Sequence, residues 1–241
     1  MLRTIFWYAS GWLYLAFTMP ALAWVKYLEK AGRYAERDAF AERFSMMLAR
    51  GLFYLTGSSV EIVGSENIPE GPVLFVSNHP SHIDSAVIHG FINKSKGFVA
   101  DKGAGRIPIL RTWFGYMKCV FIDRKNAMVN IKRIEESLKL LKEGHSLVIY
   151  PEGKINTSAK LNSFRKGCLK LSAKAGVPVV PVTLINTDKV MDRAGRSIHS
   201  SPVKCVISAP ITFSRADEKN EAEQIEKVRE IIAKNLVWFI S

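Results

Sequence analysis

Hydrophobic residues run without a charge from Ile5 to Val25, IFWYASGWLYLAFTMPALAWV, and a helix of about 20 apolar residues matches the hydrocarbon thickness of a bilayer. Read alone, the run is long enough to span, with Pro20 expected to kink it. Trp7, Trp12 and Trp24 lie here with Tyr8 and Tyr14, and such amphipathic rings favour the headgroup boundary. From Ala41 to Leu55 the pattern turns helical: Phe44, Met47, Leu48, Leu52 and Leu55 share a face while Glu42, Arg43 and Arg50 project elsewhere. The two segments read either as a hairpin dipping into one leaflet or as a single span followed by a surface helix. Arg3 ahead of the run and Ala21-Leu22-Ala23 imitate a signal peptide. The run is longer and more aromatic than an ordinary signal core, so residues 1–57 are expected to stay as a membrane-binding helical segment.

Beyond Gly57 the pattern changes to short apolar, β-rich runs alternating with helical stretches. Candidate strands are Ser59–Val63, Val73–Ser77, Gly97–Ala100, Cys119–Asp123, Ser146–Tyr150, Val177–Leu184 and Val203–Ser208. Between the fourth and fifth, Ile131, Ile134, Leu138 and Leu141 fall on one helical face that Gly144 closes. Lys166 to Ala175 reads as a second crossover helix stopped by Gly176, and Ala222, Ile225, Val228, Ile232 and Leu236 mark a closing amphipathic helix with an apolar exit, Val237-Trp238-Phe239-Ile240. Alternation of this kind predicts an α/β fold over residues 58–241: a mostly parallel mixed sheet of about seven strands flanked by helices, with the N-terminal membrane-associating helical pair attached.

The 241 residues suit one such domain plus its N-terminal appendage. Lysine and arginine outnumber acidic residues 34 to 22, for a net charge of +12, so an anionic partner is expected: lipid headgroups, nucleic acid or phosphorylated metabolites. Basic residues do not interleave with aromatics on a strand pair as an RNA-binding sheet requires, which argues against nucleic acid. Cys119, Cys168 and Cys205 are odd in number and far apart, unlike a disulfide framework or a zinc-thiolate site. There is no G-x-S-x-G elbow and no Walker loop, and Gly103-Ala104-Gly105-Arg106-Ile107-Pro108 breaks off before a dinucleotide fingerprint forms.

The chemistry concentrates in Asn78-His79-Pro80-Ser81-His82-Ile83-Asp84-Ser85, directly after the second candidate strand. Sites in open α/β sheets gather beyond the carboxyl ends of strands, where His79 would be delivered. If a helix starts near Pro80, Asp84 can reach back to the imidazole, hold Nδ1–H, and leave Nε2 as a proton acceptor. No protein nucleophile accompanies this base, so the attacking group is expected to be a substrate hydroxyl adding to a carbonyl. His82 reads as a capping or packing residue, and Ser81 and Ser85 sit on no recognisable nucleophile elbow. Zinc held by His79, His82 and Asp84 would lack the usual helical H-E-x-x-H arrangement, so no metal is expected.

These residues resemble the glycerolipid acyltransferase family, membrane enzymes that acylate glycerol-3-phosphate and lysophosphatidic acid. Its N-H-x-x-x-x-D motif is similar to Asn78, His79 and Asp84; G-x-x-F-I-D-R to Val120-Phe121-Ile122-Asp123-Arg124; and F-P-E-G to Tyr150-Pro151-Glu152-Gly153. F-V-A-K-K-E-x-x-x-I-P is similar to the stretch carrying Lys102, Ile107 and Pro108, F-K-x-G to Phe164-Arg165-Lys166-Gly167, and the fourth motif to Val177–Val182. The order and spacing agree over residues 58 to 185. The resemblance implies that His79 is the base and Asp84 its orienter, with Asn78, Lys102, Arg124, Glu152 and Gly153 binding the acceptor or shaping its pocket. Glu152 is anionic, and a structural duty stands beside direct contact. Where the family has Thr-Arg-Ser after the glycine, this chain has Lys154-Ile155-Asn156, so Lys154 is expected to supply the missing charge, with Arg165 and Lys166 as further candidates.

The implied activity is transfer of a fatty acyl group from acyl carrier protein or coenzyme A thioester to the sn-2 hydroxyl of lysophosphatidic acid, at the cytoplasmic side of the cell membrane. Neither cofactor nor metal is implied beyond that co-substrate. Alternatives are a relative with another acceptor (glycerol-3-phosphate, another lysophospholipid or an ornithine lipid) and a non-catalytic membrane-surface protein.

Overall fold

The computed structural model describes residues 1–123, 127–156, 158, 160–213 and 220–238. Seven strands form one sheet: β1 (Ser59–Val63), β2 (Leu74–Ser77), β3 (Lys96–Asp101), β4 (Val120–Ile122), β5 (Ser146–Ile149), β6 (Val179–Ile185) and β7 (Pro202–Ile207). Their order is β1-β7-β6-β2-β5-β3-β4, with every neighbouring pair parallel except β6 and β7. The central strands β2, β5 and β6 are buried throughout, which is why they read as unbroken apolar runs and not as alternating ones.

Side chains of period 2 divide the core into two layers. Phe75, Val148, Val180 and Val182 face one side with Val87 and Ile88 of α4 (Asp84–Phe91) and Phe53 of α3 (Tyr34–Tyr54). Leu74, Val76, Leu147, Ile149 and Val179 face the other with Leu141 of α6 (Ala127–Lys142), Leu171 of α7 (Lys170–Ala175) and Val228 and Ile232 of α9 (Glu221–Trp238). Because Phe53 sits in the core of the sheet, the N-terminal segment and the α/β part share one core.

The N-terminal run is not one helix. α1 (Leu2–Phe17) and α2 (Met19–Lys30) meet at Thr18, whose hydroxyl donates to Leu15 O at 2.7 Å. Pro20 in the first turn of α2 has no amide hydrogen to continue the α1 ladder. Among the described residues no helix is long and apolar enough to cross a membrane, and the charge-free run is a broken helical pair, with the break where Pro20 was expected to interrupt it. In α3 the core-facing residues are Ala41, Ser45, Met46, Ala49 and Phe53; small side chains there let it approach α4 closely, while Met47 of the expected stripe is exposed.

Two further expectations change. In α6 only Leu141 of the predicted stripe is fully buried, whereas Ile134 and Ile131 are 53% and 58% exposed and Met128 80%. That end of α6 starts beside β4, an edge strand of three residues, which offers little surface to cover it. The crossover helix after Phe164 begins at Lys170, because Gly167 sits at φ +86, a left-handed conformation that interrupts a helix. Phe239 and Ile240 of the expected apolar exit, and the side chain of Trp238, lie outside the described residues.

Candidate active site

The carboxyl ends of β2 and β6 lie side by side, and the first residue beyond β2 fastens them. The Asn78 side-chain amide donates to Leu184 O at 2.9 Å and its carbonyl accepts from Leu184 N at 2.8 Å. Both polar groups of Asn78 are thereby occupied and the residue is buried, so its expected contact with substrate is corrected to a brace between strands.

His79 follows with its backbone held on both sides by the segment after β5. Its N–H donates to Glu152 Oε1 at 3.0 Å, and its carbonyl accepts from Asn156 N at 2.8 Å. The other oxygen of Glu152 accepts from Asn162 N at 3.1 Å. Glu152 is buried with both oxygens engaged: of the two duties left open for it, the structure gives it the structural one, clasping the 152–165 loop onto the base.

The imidazole is fixed as firmly as its backbone. Nδ1 lies 2.8 Å from Asp84 Oδ2, the same oxygen that accepts from Ser81 N at 2.9 Å. An oxygen already accepting one amide hydrogen calls for a donor at Nδ1, which leaves Nε2 as the proton acceptor. One ring face stacks on Tyr150, centroid to centroid 3.9 Å at 13°, and the Tyr150 hydroxyl pairs with Ser85 Oγ at 3.1 Å. His79 keeps 17% of its side chain exposed whereas Asp84 has none. Burial pushes the Asp84 carboxyl up; the bond to His79 and its charge, then Thr187 and the Ser81 amide, pull it down. The helix itself begins at Asp84 and not at Pro80, so the carboxylate reaches the imidazole across a non-helical loop.

The other candidates divide. Ser81 donates to Met191 O at 2.7 Å and Ser85 is paired with Tyr150, so both serine hydroxyls are engaged away from the imidazole. His82 is exposed and packs against Gly195. Among the described residues no three side chains of metal-ligating type converge. Lys102 is drawn away to Asp123, Nζ to Oδ2 2.7 Å. Arg124 lies outside the described residues. Gly153 sits at φ +73, where a side chain is strained, and the Arg165 guanidinium lies over it.

Two cavities adjoin this centre. A polar one of about 280 Å³ is lined by Glu152, Lys154, Asn156, Asn162, Ser163 and Arg165. An apolar one of about 270 Å³ is walled by Leu48 and Leu52 of α3, Ser85 and Ala86 of α4, and Phe98 and Phe121 of the sheet, among others. Tyr150, Arg165 and Thr187 neighbour the pair or its loop; the sequence reading offered Arg165 only as a further cation and gave Tyr150 and Thr187 no role of their own. The tyrosine in place of phenylalanine in the F-P-E-G motif was the available signal for the first.

A histidine held by a buried carboxylate, with one polar and one apolar cavity lined by residues that neighbour it, suits group transfer beyond the carboxyl ends of an open α/β sheet. The sequence profile of the acyltransferase family matches residues 59–185. A probable 1-acyl-sn-glycerol-3-phosphate acyltransferase of Mycoplasma pneumoniae is 30% identical over 191 residues, 71% of this chain and 70% of that protein. The chloroplastic 1-acyl-sn-glycerol-3-phosphate acyltransferase of Arabidopsis thaliana is 34% identical over 161 residues, 66% of this chain but 45% of that longer one. The crystal structure of the 1-acyl-sn-glycerophosphate acyltransferase PlsC from Thermotoga maritima superimposes with a TM-score of 0.80 at 23% identity, covering 98% of this chain and 94% of that one, which establishes the shared fold. The chain belongs to the acyltransferase family.

Proposed function

We propose that this chain acylates the free sn-2 hydroxyl of lysophosphatidic acid, giving phosphatidic acid, with an acyl carrier protein or coenzyme A thioester as donor. The observation that carries the reading is the His79–Asp84 pair, 2.8 Å apart with Nδ1 committed to the carboxylate. Nε2 takes the proton of the acceptor hydroxyl as its oxygen attacks the thioester carbonyl. The tetrahedral intermediate then collapses, the C–S bond breaks, and the thiolate leaves with the proton carried by the imidazolium. Asp84 stabilises that imidazolium and keeps the ring oriented.

The acceptor's phosphate belongs in the polar cavity, where Lys154 offers a point charge and Arg165 a planar fork suited to phosphate oxygens. The acyl chain belongs in the apolar cavity. Exposed Phe6, Trp12, Leu13 and Phe17 on α1 and Trp24 and Tyr27 on α2 suit contact with one leaflet of the cell membrane from its cytoplasmic side, and the net charge of +12 favours anionic lipid.

Incubation of purified protein with radiolabelled lysophosphatidic acid and each donor in turn, followed by lipid separation, tests the reading. Labelled phosphatidic acid is expected. Product from glycerol-3-phosphate or another lysophospholipid alone would move the assignment to a different acceptor.

A further inference from the structure

The two oxygens of Asp84 are unequally served. Oδ2 accepts from both His79 Nδ1 and Ser81 N, whereas Oδ1, fully buried, meets no donor in ordinary hydrogen-bond geometry. Thr187 Oγ1 is buried as well and has no acceptor in that geometry. A buried carboxylate oxygen without a donor and a buried hydroxyl without an acceptor are each destabilising, and both conditions are rare in native interiors.

The topology brings these two together. β2 and β6 are parallel neighbours with Ser77 opposite Val182, and Asn78 is fastened to Leu184. β6 then ends, Asn186 turns at φ 67, and the short helix α8 (Thr187–Val190) starts with Thr187. The bond from Ser81 Oγ to Met191 O pins the loop that carries His79 onto the far end of α8. The Thr187 side chain thus stands against the Asp84 carboxyl, close enough to help lower its pKa against the effect of burial.

We propose that Thr187 is a positioning residue for acyl transfer, its hydroxyl donating to Asp84 Oδ1 and completing a chain from Thr187 through Asp84 to His79. The inference rests on the acyl-transfer reading above. Donation from Thr187 leaves Oδ2 free to serve Nδ1 and stabilises the charged carboxylate where no water reaches it. Without the hydroxyl, the ionised carboxylate beside a neutral imidazole is the state most penalised, so the pair takes up a proton more readily and the base is lost at higher pH.

The other titratable groups facing this carboxylate are His82, Tyr150 and Cys205. Burial raises the Tyr150 hydroxyl well above its ordinary value and the Cys205 thiol to about 12, so both stay neutral through the relevant range. His82, exposed at one side, is lowered first by partial desolvation and then by the charge of His79; a His82→Gln background removes its titration from the readout.

The test compares Thr187→Val, which keeps the volume, Thr187→Ala, and Thr187→Ser, which restores the hydroxyl. The pH dependence of kcat/KM is measured alongside the titration of labelled histidine followed by NMR. Both hydroxyl-free variants should move the acid limb and the imidazole titration upward by about one pH unit, the size expected for one hydrogen bond to a charged group, with about a tenfold loss of kcat/KM below the limb. Thr187→Ser should return to the wild-type profile. An unmoved limb and titration in either hydroxyl-free variant overturns the proposal, and so does a serine variant that behaves like valine; if one hydroxyl-free variant does not fold, the other carries the test. A wild-type protein that acylates neither lysophosphatidic acid nor glycerol-3-phosphate nor another lysophospholipid would refute the acyl-transfer reading, while the histidine titration would still decide whether Thr187 serves Asp84.

Discussion

The polar and the apolar cavity are alike in volume, about 280 and 270 Å³, and opposite in construction. Every residue named around the polar one comes from a single stretch, 152–165, folded back on itself by Gly153 and clasped to His79 by Glu152 and Asn156. The apolar one draws its wall from α1, α3, α4, β3, β4 and α5 (Pro108–Tyr116), from Tyr14 to Phe121. Recognition of a phosphate is directional and needs donors at fixed angles, which one braced loop supplies. Holding a methylene chain is non-directional and needs only apolar area, which any set of packed elements supplies.

On the proposed function the chemistry falls to neither cavity but to the His79–Asp84 pair, and the largest expected effect tests it. His79→Ala should lower kcat by about 10²–10⁴, the range for a positioned general base, with acceptor and donor binding retained. Asp84→Asn should fall in a similar range, because it leaves the imidazole without the acceptor that selects its tautomer. Both are read by steady-state kinetics, with circular dichroism to check the fold. Wild-type turnover in the His79 variant would remove the base and with it the division of labour.

Next in size are the cations of the polar cavity. Arg165→Ala should raise the KM for lysophosphatidic acid about 10- to 100-fold, as expected for one charged hydrogen bond to phosphate, with a smaller change in kcat. Lys154→Ala should do less, since an exposed ammonium offers no fork. Neither should alter the preference for donor chain length, and comparing donors of several lengths in each variant checks this. A change in length preference would mean that the two cavities are not independent.

The difference in construction also decides what the sequence could reveal. All seven strands are legible to within two residues at either end, because buried parallel strands are apolar runs bounded by turns. The His79–Asp84 pair is legible because both members lie within one octapeptide. Thr187 is far along the chain from the carboxylate it stands against, and only the adjacency of β2 with β6 brings it in; Arg165 was legible as a further cation, but its place over Gly153 is set by the fold of the 152–165 loop. Asn78 shows the converse: its motif position was visible, but its partner, the Leu184 backbone, belongs to another strand. The α6 stripe misled for a related reason. Hydrophobicity records that a face wants cover, and only the tertiary structure says whether cover is there.

The apolar cavity should respond to volume and not to charge. Ala104 lines it, and Ala104→Leu adds three carbons that compete with the acyl chain for space. Each methylene excluded forfeits about 0.8 kcal/mol, roughly a fourfold change, so kcat/KM for long-chain donors should fall about fourfold per lost methylene against an unchanged value for short ones. Competition between donors of two lengths measures the ratio directly. An equal loss for both lengths would show that Ala104 does not border the bound chain.

The smallest effect concerns a titratable group of the apolar wall. His89 is buried there with Nε2 2.9 Å from Ser45 Oγ, and burial, aided by the charge of Lys96, pushes its pKa down to about 3. Because the folded value lies below the unfolded one of about 6.5, the unfolded chain binds this proton first, and stability is lost as pH falls from about 6.5 toward 3. From pH 7 to pH 6 the expected loss is only about 0.7 kcal/mol, growing by about 1.4 kcal/mol for each further unit. His89→Phe removes the proton site while the Ser45 hydroxyl keeps its bond to Glu42 O at 3.0 Å, so denaturant midpoints at pH 7 and pH 6 should differ less in the variant than in the wild type. The same slope in both would mean that His89 takes up its proton inside the folded protein, and that the apolar wall admits water.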